Sequence, residues 1–233
     1  MMEAIVLAGG LGTRLRGVVD DVPKPMAPVL GRPFLAYILD QLVDSGFHAV
    51  VLAAGYRHEV IRSYFGDEYR GLALVWSVES KPLGTGGAIR LACDQAHSGD
   101  VFVLNGDTYL ELDYRAMLKA HVRAGAQLSV AICQVPDVAR YGALEVSEGI
   151  VRGFREKGQS GPGWINGGTY VLGPALHDRL PKRRAFSFEQ ELLAPEVQSI
   201  RPLAFLTTGL FIDIGIPEDY TRVQEIFSAR RTR

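Results

Sequence analysis

LAGGLGTRL (Leu7–Leu15), followed at a short distance by Pro23-Lys24-Pro25, is the stretch of sequence that decides the fold of this chain. It continues the apolar run Ala4–Ala8, which predicts a buried strand. Glycines at the end of a strand permit a turn that a Cβ would hinder, and they leave backbone N–H groups open to a polyphosphate. Two isolated cations, Arg14 and Lys24, accompany the loop. The pattern indicates a nucleoside triphosphate site.

Two familiar phosphate-binding loops do not match this stretch. A dinucleotide fingerprint that starts at Gly10 needs a glycine where the chain has Leu15. A P-loop ends in Gly-Lys-Ser or Gly-Lys-Thr, whereas Gly12 is followed by Thr13 and Arg14. The loop therefore belongs to neither of these classes.

A glycine-rich surface turn without a function is the remaining alternative. The two prolines beside Lys24 argue against it, because Pro23 and Pro25 restrict the backbone on both sides of the lysine. They limit where the amine can point, which a solvated surface lysine does not require.

The composition excludes several classes of partner. Lysine and arginine number 25 against 26 aspartates and glutamates, so no global field attracts nucleic acid or an anionic membrane. No apolar run approaches the roughly 18 residues that a bilayer-spanning helix needs. The two cysteines, Cys93 and Cys133, lack a metal-ligand spacing, which favours a reducing compartment. We therefore expect a cytoplasmic protein that binds neither nucleic acid nor membrane.

The two halves of the chain differ in their organisation. The first half alternates between apolar runs and helix-like segments, which predicts an α/β fold with a mainly parallel sheet and helices on both faces. Its predicted strands are Ala4–Ala8, Ala49–Ala54, Leu72–Val78 and Val101–Leu104, and its predicted helices lie at Phe34–Asp44, Glu59–Phe65 and Ala88–Gln95. The second half predicts antiparallel strands at Gln127–Val135, Gly142–Val146, Ile150–Phe154 and Trp164–Leu172.

Two carboxylates are candidate metal ligands. Asp107 follows the apolar run Val101–Leu104, and ligands of such sheets sit beyond the carboxyl ends of the strands. Mg²⁺ takes one or two carboxylates plus phosphate oxygens and waters, although an Asn-Gly-Asp turn explains Asp107 equally well. Asp213 is embedded among apolar residues, where an isolated carboxylate is costly unless it is paired or metal-bound. We favour a metal for Asp213 over a helix cap.

Further glycines interrupt two other segments. Glu79–Gly87 joins a predicted strand to a predicted helix, and we expect Gly84 and Thr85 to open that helix, whose N-terminus can face a phosphate or a base. Asn166–Gly168 interrupts an apolar strand, as glycines often do where a ligand comes close. Lys157 is either a phosphate ligand or a solvated edge charge, and its local sequence favours the edge charge.

Together these motifs resemble the sugar-1-phosphate nucleotidyltransferases over essentially the whole chain. The motifs that carry the resemblance are LAGGLGTRL with PKPMAPV (Leu7–Val29), LNGDT (Leu104–Thr108), RYGAL (Arg140–Leu144), FREK (Phe154–Lys157), INGGTYVL (Ile165–Leu172) and FIDIGIPEDY (Phe211–Tyr220). The resemblance implies one domain, 1–233, with a nucleotide-binding half, 1–125, and a sugar-phosphate-binding half, 126–233. It implies a Rossmann-like sheet of the GT-A type with a small antiparallel sugar-side sheet.

The resemblance also implies a reaction and a role for each candidate residue. A sugar-1-phosphate oxygen attacks the α-phosphorus of a nucleoside triphosphate and pyrophosphate leaves, which depends on positioning and charge neutralisation. Arg14, Lys24 and Asp107 are the expected catalytic residues, and Asp107 and Asp213 are expected to hold Mg²⁺. The expected nucleotide-binding residues are Leu7, Ala8, Gly9, Gly10, Gly12, Thr13, Arg14, Lys24, Glu79, Pro82, Gly84, Thr85 and Asn105. The expected sugar-phosphate-binding residues are Gly142, Glu156, Lys157, Asn166 and Gly167.

Glu79 is expected to select the base. An ionised carboxylate only accepts hydrogen bonds, and guanine presents N1–H beside its N2 amino group, whereas uracil offers one donor beside carbonyl oxygens. Glu79 therefore favours GTP, where thymidylyl enzymes of this type carry Gln. PLGTGGAI (Pro82–Ile89) and FSFEQELL (Phe186–Leu193) resemble short guanylyltransferases. That resemblance implies a heptose 1-phosphate as second substrate and GDP-heptose for capsules or other surface glycans as product.

Three alternatives stay open at this point. They are a mannose-1-phosphate guanylyltransferase, a uridylyltransferase for another sugar 1-phosphate, and a catalytically inactive regulatory homologue. The presence of Arg14, Lys24, Asp107 and Asp213 together argues against the inactive homologue. The sequence does not determine the assembly, for which a homodimer is one prediction.

Overall fold

The computed structural model describes residues 1–10, 22–155, 158, 160–182 and 184–231. The strands in these ranges are β1 (Met2–Leu7), β2 (Pro28–Val29), β3 (Arg32–Pro33), β4 (Phe47–Ala54), β5 (Glu68–Tyr69), β6 (Leu72–Val78), β7 (Val101–Asn105), β8 (Thr108–Leu110), β9 (Leu128–Val135), β10 (Leu144–Ser147), β11 (Ile150–Phe154), β12 (Gly163–Leu172), β13 (Leu203–Thr207) and β14 (Phe211–Asp213). The α-helices are α1 (Phe34–Ser45), α2 (His58–Phe65), α3 (Gly84–Cys93), α4 (Tyr114–Ala124), α5 (Pro174–Arg179), α6 (Val197–Ile200) and α7 (Pro217–Arg231). A 3₁₀ helix covers Lys24–Met26 and a π-helix covers Phe188–Leu193.

One ten-stranded sheet organises the molecule, with the strand order β10-β11-β13-β9-β12-β7-β1-β4-β6-β5. β1 lies between β4 and β7 and is parallel to both, and β6 is parallel to β4. This is the parallel sheet predicted for the first half of the chain. The carboxyl ends of its strands share one edge, which is where ligands of such sheets bind.

The second half of the chain continues the same sheet. β12 is antiparallel to β7 and to β9, as predicted, and β10 and β11 form an antiparallel pair at the edge. The sequence pattern did not predict β13, which runs parallel to β9. The predicted fold class is confirmed, with the sugar-side strands joined to the main sheet. The single-domain organisation and its two halves stay a prediction, which the β7–β12 pairing supports.

Helices cover both faces of the sheet, and each face has its own apolar core. One face packs α1, α4 and α7 through buried side chains such as Phe34, Met117 and Val223. The other face packs α3 and α5 through Ile89 and Leu176. Burial on both faces explains why the central strands are almost continuously apolar.

The described residues give two findings on the cysteines and on membrane spans. Both Cys93 and Cys133 are buried and unpaired, and burial raises the pKa of each thiol to about 12. Both thiols therefore stay protonated and unreactive near neutral pH. None of the helices in the described ranges combines the length and the apolar character that a membrane crossing requires.

Glu3 is a buried carboxylate that ties β1 to the segment before β7. Its Oε2 accepts hydrogen bonds from the N–H groups of His97 and Ser98, at 2.7 and 2.6 Å, and from the Ser98 hydroxyl at 2.7 Å. Burial by itself would raise the pKa of Glu3, but the hydrogen bonds from Ser98 and His97 outweigh it and lower the pKa below its usual value. The ionised form of Glu3 therefore stabilises the folded chain.

Replacing Glu3 by glutamine should lower the free energy of unfolding by about 2 kcal/mol at neutral pH, because a charged acceptor of three hydrogen bonds becomes an amide. The pKa of Glu3 is lower in the folded than in the unfolded chain. Its stabilisation is therefore present above the unfolded pKa and is lost as pH falls through the folded pKa. Urea unfolding from neutral pH to about pH 2.5 should show the difference between variant and wild type shrinking, mainly below about pH 4.5.

The exposed Glu68 supplies the control, since Glu68→Gln should change stability by less than about 0.5 kcal/mol. A Glu3→Gln penalty that stays constant over this pH range would contradict the assignment.

Candidate active site

The carboxyl ends of β1, β4 and β7 meet at one edge of the sheet. The N–H of Ala8 donates to the carbonyl oxygen of Ala53 at 2.8 Å, and the N–H of Gly106 donates to that of Leu7 at 3.0 Å. A Cβ on Gly106 would lie 2.5 Å from the Leu7 oxygen, so only glycine lets the two segments approach this closely. Asp107, the next residue, therefore leaves β7 beside the end of β1.

Gly9 and Gly10 leave β1 at this edge in different environments. A Cβ on Gly9 would lie 3.2 Å from the N of Gly55 and 3.3 Å from Oε1 of Glu79, whereas a Cβ on Gly10 would meet no described residue within 4 Å. The tight packing around Gly9 therefore favours glycine there. No described side chain crowds the backbone of Gly10, which suits a phosphate-binding loop.

Several predicted site residues lie outside the residues that the structure describes. They are Gly12, Thr13, Arg14, Glu156 and Lys157. Their roles stay predictions. Gly142 is described and has a φ of 81°, and its N–H donates to the carbonyl oxygen of Val138 at 3.0 Å. Its contact with a sugar also stays a prediction.

Lys24 lies between the two predicted metal ligands. Its Nζ is 2.5 Å from Oδ2 of Asp107 and 3.7 Å from Oδ1 of Asp213. Pro23 precedes the 3₁₀ helix that Lys24 begins, and Pro25 is buried within that helix. The prolines thus hold the backbone on both sides of Lys24, as the sequence predicts. The sequence did not predict that the lysine pairs with both acids.

Backbone pairing brings the two carboxylates together. β14 is antiparallel to β8, which follows Asp107 directly, and the N–H of Ile214 donates to the Asp107 carbonyl oxygen at 3.1 Å. Burial raises the pKa of Asp213, the charge of Asp107 raises it further, and Lys24 and Arg140 lower it only in part. Oδ1 of Asp213 is buried and accepts no hydrogen bond from a described residue. A further cation at this point would offset both the repulsion and the unpaired oxygen.

The carboxylate pair therefore fits a divalent metal ion. Two carboxylates completed by phosphate oxygens and waters are the ligand set that Mg²⁺ accepts. Within the described ranges, no group of three or more His, Cys, Asp or Glu side chains forms a metal site. The donor set suits an ion that shares its ligands with a phosphate, rather than one that is enclosed by protein.

An ion pair that the sequence analysis did not predict holds the segment around Arg140 against this centre. Arg140 pairs with Asp219 in the first turn of α7, and its Nη2 lies 4.0 Å from Oδ2 of Asp213. Its guanidinium lies 4.9 Å from the ring centroid of Tyr141, which packs edge-to-face on Phe211 at 5.4 Å. The RYGAL motif and the acidic first turn of α7 were the available signals, but neither reveals the other as its partner.

Glu79 follows β6 and lies against the glycines at the ends of β1 and β4. Its Oε2 accepts a hydrogen bond from the N–H of Leu83 at 2.9 Å. Its Oε1 lies only 2.6 Å from the position that a Cβ on Gly55 would take. Burial raises the pKa of Glu79, and the hydrogen bond from Leu83 opposes this only in part. One carboxylate oxygen is thus occupied by the loop, and the other faces the strand ends.

α3 begins at Gly84, within the second glycine loop, as predicted. Gly84 has a φ of 67°, and a Cβ there would lie 2.5 Å from the carbonyl oxygen of Phe186. The hydroxyl of Thr85 accepts a hydrogen bond from the N–H of Phe188 at 2.9 Å. Pro82, Gly84 and Thr85 are exposed. The 186–188 segment therefore packs against one side of the loop, and the other side faces solvent.

Asn166 belongs to a polar cluster on the sugar side. Its Nδ2 donates to the Tyr170 hydroxyl at 2.7 Å and to Oε1 of Glu189 at 3.1 Å, and the Tyr170 hydroxyl donates to the same Oε1 at 2.5 Å. Glu189 was not among the predicted site residues. The one indication in the sequence was that it belongs to FSFEQELL, a segment that resembles the short guanylyltransferases.

A β-bulge in β12 explains the glycines beside Asn166. The register of β12 against β9 shifts between Asn166 and Tyr170. Gly168 has a φ of 70°, and a Cβ there would lie 2.7 Å from Nδ2 of Asn105. A Cβ on Gly167 would lie 2.7 Å from Cδ2 of Leu110. Leu110 therefore fills the space on the Cβ side of Gly167, and the expected contact of Gly167 with the sugar stays a prediction. The nucleotide contact of Asn105 also stays a prediction.

Comparison with known proteins identifies the family. A profile described as "Nucleotidyl transferase" matches residues 3–229. The chain therefore belongs to the nucleotidyl transferase family, and the resemblance seen in the sequence is confirmed.

The similar proteins include two guanylyltransferases and one solved structure. The chain is 42% identical, over 224 residues, to the D-glycero-alpha-D-manno-heptose 1-phosphate guanylyltransferase of Aneurinibacillus thermoaerophilus. The alignment covers 96% of this chain and 97% of the relative. The mannose-1-phosphate guanylyltransferase of Mycobacterium tuberculosis is 32% identical over 226 residues, 95% of this chain and 63% of the relative. The crystal structure of HddC from Yersinia pseudotuberculosis complexed with GMP-PN has a TM-score of 0.86 and 39% identity, covering 97% of this chain and all of that chain (100%).

Alanine at Gly84 should reduce stability, whereas alanine at Gly10 should reduce nucleotide affinity and leave stability almost unchanged. Gly84→Ala should lower the free energy of unfolding by about 2 to 4 kcal/mol, because its φ is left-handed and the new Cβ meets the carbonyl of Phe186. Gly10→Ala should stay within about 0.5 kcal/mol of wild type, because the new Cβ would meet no described residue within 4 Å. It should nevertheless weaken nucleotide binding by crowding the loop N–H groups. Urea unfolding and nucleotide titration measure the two effects.

Equal stability of the two variants would contradict the packing assigned to Gly84. Unchanged nucleotide affinity in Gly10→Ala would contradict the role of the loop.

Proposed function

We propose that this nucleotidyl transferase makes GDP-D-glycero-α-D-manno-heptose and pyrophosphate from GTP and the heptose 1-phosphate. The observation that carries the reaction type is the close approach of Lys24 to Asp107 and Asp213 at the carboxyl edge of the parallel sheet. The likeness to the heptose-phosphate guanylyltransferase over 96% of the chain supports the substrates. Cytoplasmic location, supply of a capsule or surface glycan, a homodimer and the absence of nucleic-acid and membrane partners stay predictions.

The centre provides the charge that phosphoryl chemistry requires. An oxygen of the sugar phosphate attacks the α-phosphorus of GTP, so several phosphate charges converge in one small volume. Lys24 can neutralise phosphate oxygens near the reacting atom, and Arg14 is the proposed partner of the departing pyrophosphate. A divalent ion, for which we propose Mg²⁺, would be held by Asp107 and Asp213 and would neutralise oxygens of both phosphates.

We assign recognition of the base and recognition of the sugar to opposite ends of the site at this edge of the sheet. On the base side, the carboxylate of Glu79 is proposed to accept the N1–H and N2 amino hydrogens of guanine. On the sugar side, both Nδ2 hydrogens of Asn166 are used within the cluster, so the exposed carboxylate of Glu189 is the proposed acceptor for sugar hydroxyls. Glu156 and Lys157 keep their proposed roles toward the sugar hydroxyls and the sugar phosphate.

A mannose-1-phosphate guanylyltransferase is the second candidate. Mannose and this heptose share the manno ring configuration and differ in the arm beyond the ring. The cluster around Asn166 can therefore serve either sugar. Pyrophosphate release measured with GTP, UTP, CTP and dTTP against heptose, mannose and glucose 1-phosphates tests the proposal. We expect GTP with heptose 1-phosphate to give the highest kcat/KM, and a preference for another pair would overturn the assignment.

Asp107→Asn and Asp213→Asn should each reduce the metal-dependent rate by at least about 100-fold, because each removes a proposed metal ligand. The fold should persist in both variants, since each substitution preserves the side-chain shape. Pyrophosphate release against metal concentration, with circular dichroism for the fold, measures both. Asp178→Asn is the matched control, because that side chain is 83% exposed. Near-wild-type turnover in either variant would remove that residue from the metal site.

Glu79→Gln should lower kcat/KM for GTP by about 10- to 100-fold and narrow the preference of GTP over UTP, because an amide cannot accept two guanine donors. Burial raises the pKa of Glu79, so kcat/KM for GTP in wild type should also fall as the carboxyl protonates at acid pH. Assays of both nucleotides across pH measure the ratio. A GTP-to-UTP ratio that Glu79→Gln leaves unchanged would mean that another group reads the base.

A further inference from the structure

A cavity of about 760 Å³ lies on the second half of the chain, at the ends of β9 and β13. Residues 133–137 and 206–211 form two of its walls. None of the residues that line it is among those assigned to the nucleotide, the sugar phosphate or the metal. Its volume falls within the range of small-molecule sites. It is therefore a second concave surface, which adjoins the candidate active site at Arg140 and whose described lining includes none of the predicted substrate or metal ligands.

The walls combine aromatic rings with polar groups that lack partners. Tyr141, Trp164 and Phe211 supply the rings. The amide of Gln134, the indole N–H of Trp164 and the hydroxyl of Tyr141 make no hydrogen bond with another described residue. The ring of Tyr141 meets Phe211 at an interplanar angle of 80°, and the guanidinium of Arg140 lies over Tyr141. These rings offer edges and hydrogen-bonding groups rather than two parallel faces that could sandwich a base.

One cation of the cavity is available to an anion. Arg222 on α7 is exposed, and no carboxylate of the described residues lies within ion-pair distance of it. Arg140 is already paired with Asp219. Oδ1 of Asp137 accepts hydrogen bonds from the N–H groups of Ala139 and Gly161, at 3.0 and 3.1 Å. The lining thus carries two arginines and two aspartates, and Arg222 is the one of these four whose side chain makes no ion pair or hydrogen bond with a described residue. It is the cation that remains for a ligand, and guanidinium is a strong partner of phosphate.

We propose that this cavity is a second ligand site, which takes a phosphorylated sugar with its phosphate on Arg222. The unpaired amide, indole and phenol groups suit a ring rich in hydroxyls, and the aromatic edges cover its apolar face. A free sugar phosphate and the glycosyl phosphate part of a nucleotide sugar share this chemistry. Both are therefore candidates for the ligand, and the experiment separates them.

The site is coupled to the proposed reaction centre through Arg140. This residue lines the cavity, and its Nη2 lies 4.0 Å from Oδ2 of Asp213. A ligand whose phosphate lies on Arg222 shares the cavity with the Arg140–Asp219 pair and would change how Arg140 positions Asp213. Arg140 is thus a positioning residue, and occupancy of the cavity should alter turnover. This coupling rests on the proposed function, whereas binding in the cavity does not.

The chain provides its own reporter of binding. It contains two tryptophans, Trp76 and Trp164. The Nε1 of Trp76 donates to the carbonyl oxygen of Gly66 and to Oδ1 of Asp67, at 3.2 and 3.0 Å, so Trp76 lies on a different part of the surface. In a Trp76→Phe chain, indole fluorescence therefore reports Trp164 alone.

The test titrates the Trp76→Phe chain with mannose 6-phosphate, which lacks the 1-phosphate that the reaction uses, and separately with GDP-mannose. We expect a saturable change in Trp164 emission with at least one of them, and none with mannose or GMP. Tighter binding of GDP-mannose would assign the nucleotide sugar as the ligand, and the reverse order a free sugar phosphate. Adding Arg222→Ala should weaken the binding by about tenfold or more. Arg123→Ala, at another exposed arginine, should not.

Three results would overturn the site. They are no saturable change with either probe up to about 10 mM, an equal response to GMP, or equal effects of Arg222→Ala and Arg123→Ala. For the coupling, mannose 6-phosphate should change kcat in the wild-type enzyme and leave it unchanged in Arg222→Ala. Binding without any change in kcat would reject the coupling through Arg140 and leave the proposed function intact, since Arg222 belongs to neither substrate site.

Discussion

Two carboxylates that share one ammonium group form the constraint on which the candidate site depends. Asp107 and Asp213 would repel each other if both were ionised, and burial makes the charge on Asp213 more costly still. Lys24 approaches both acids, and Arg140 approaches Asp213 from the other side. The 3₁₀ helix, the β8–β14 pair and the segment around Arg140 are thus connected by charge compensation. A metal ion with its phosphate ligands would complete the same balance.

Close backbone approach is the second requirement of this edge of the sheet. Gly106 allows the end of β7 to meet the end of β1, and Gly84 allows the start of α3 to rest on Phe186. The bulge at Gly168 lies over Asn105 and joins the nucleotide side to the sugar side. Each contact leaves no room for a Cβ. Packing inside the protein therefore requires glycine at these three positions, whether or not a substrate lies beside them.

The sequence predicted the first half of the fold well, because its strands are buried on both faces and read as continuous apolar runs. β13 was missed because its residues are only partly buried, so its sequence carries a weaker pattern. Asp107 and Asp213 were identified because an acid that follows or interrupts an apolar run is unusual. Arg140, Asp219 and Glu189 were not, because a charged residue in a polar segment gives no indication of its partner. For Gly167, the sequence pattern suggested a nearby ligand, and the structure shows Leu110 packed against this residue.

By itself, the sequence determined the family, the fold class, the glycine loops at the strand ends and the acids and cations that are candidates for the chemistry. These depend on residue types and local spacing, which a chain displays directly. Only the tertiary structure decided which charges meet. It placed Lys24 between two acids, joined Arg140 to Asp219 and gathered Asn166, Tyr170 and Glu189 around one set of hydrogen bonds. The physical reason is that ion pairs and cavities depend on distances across the sheet, which arise only when strands remote in sequence are packed side by side.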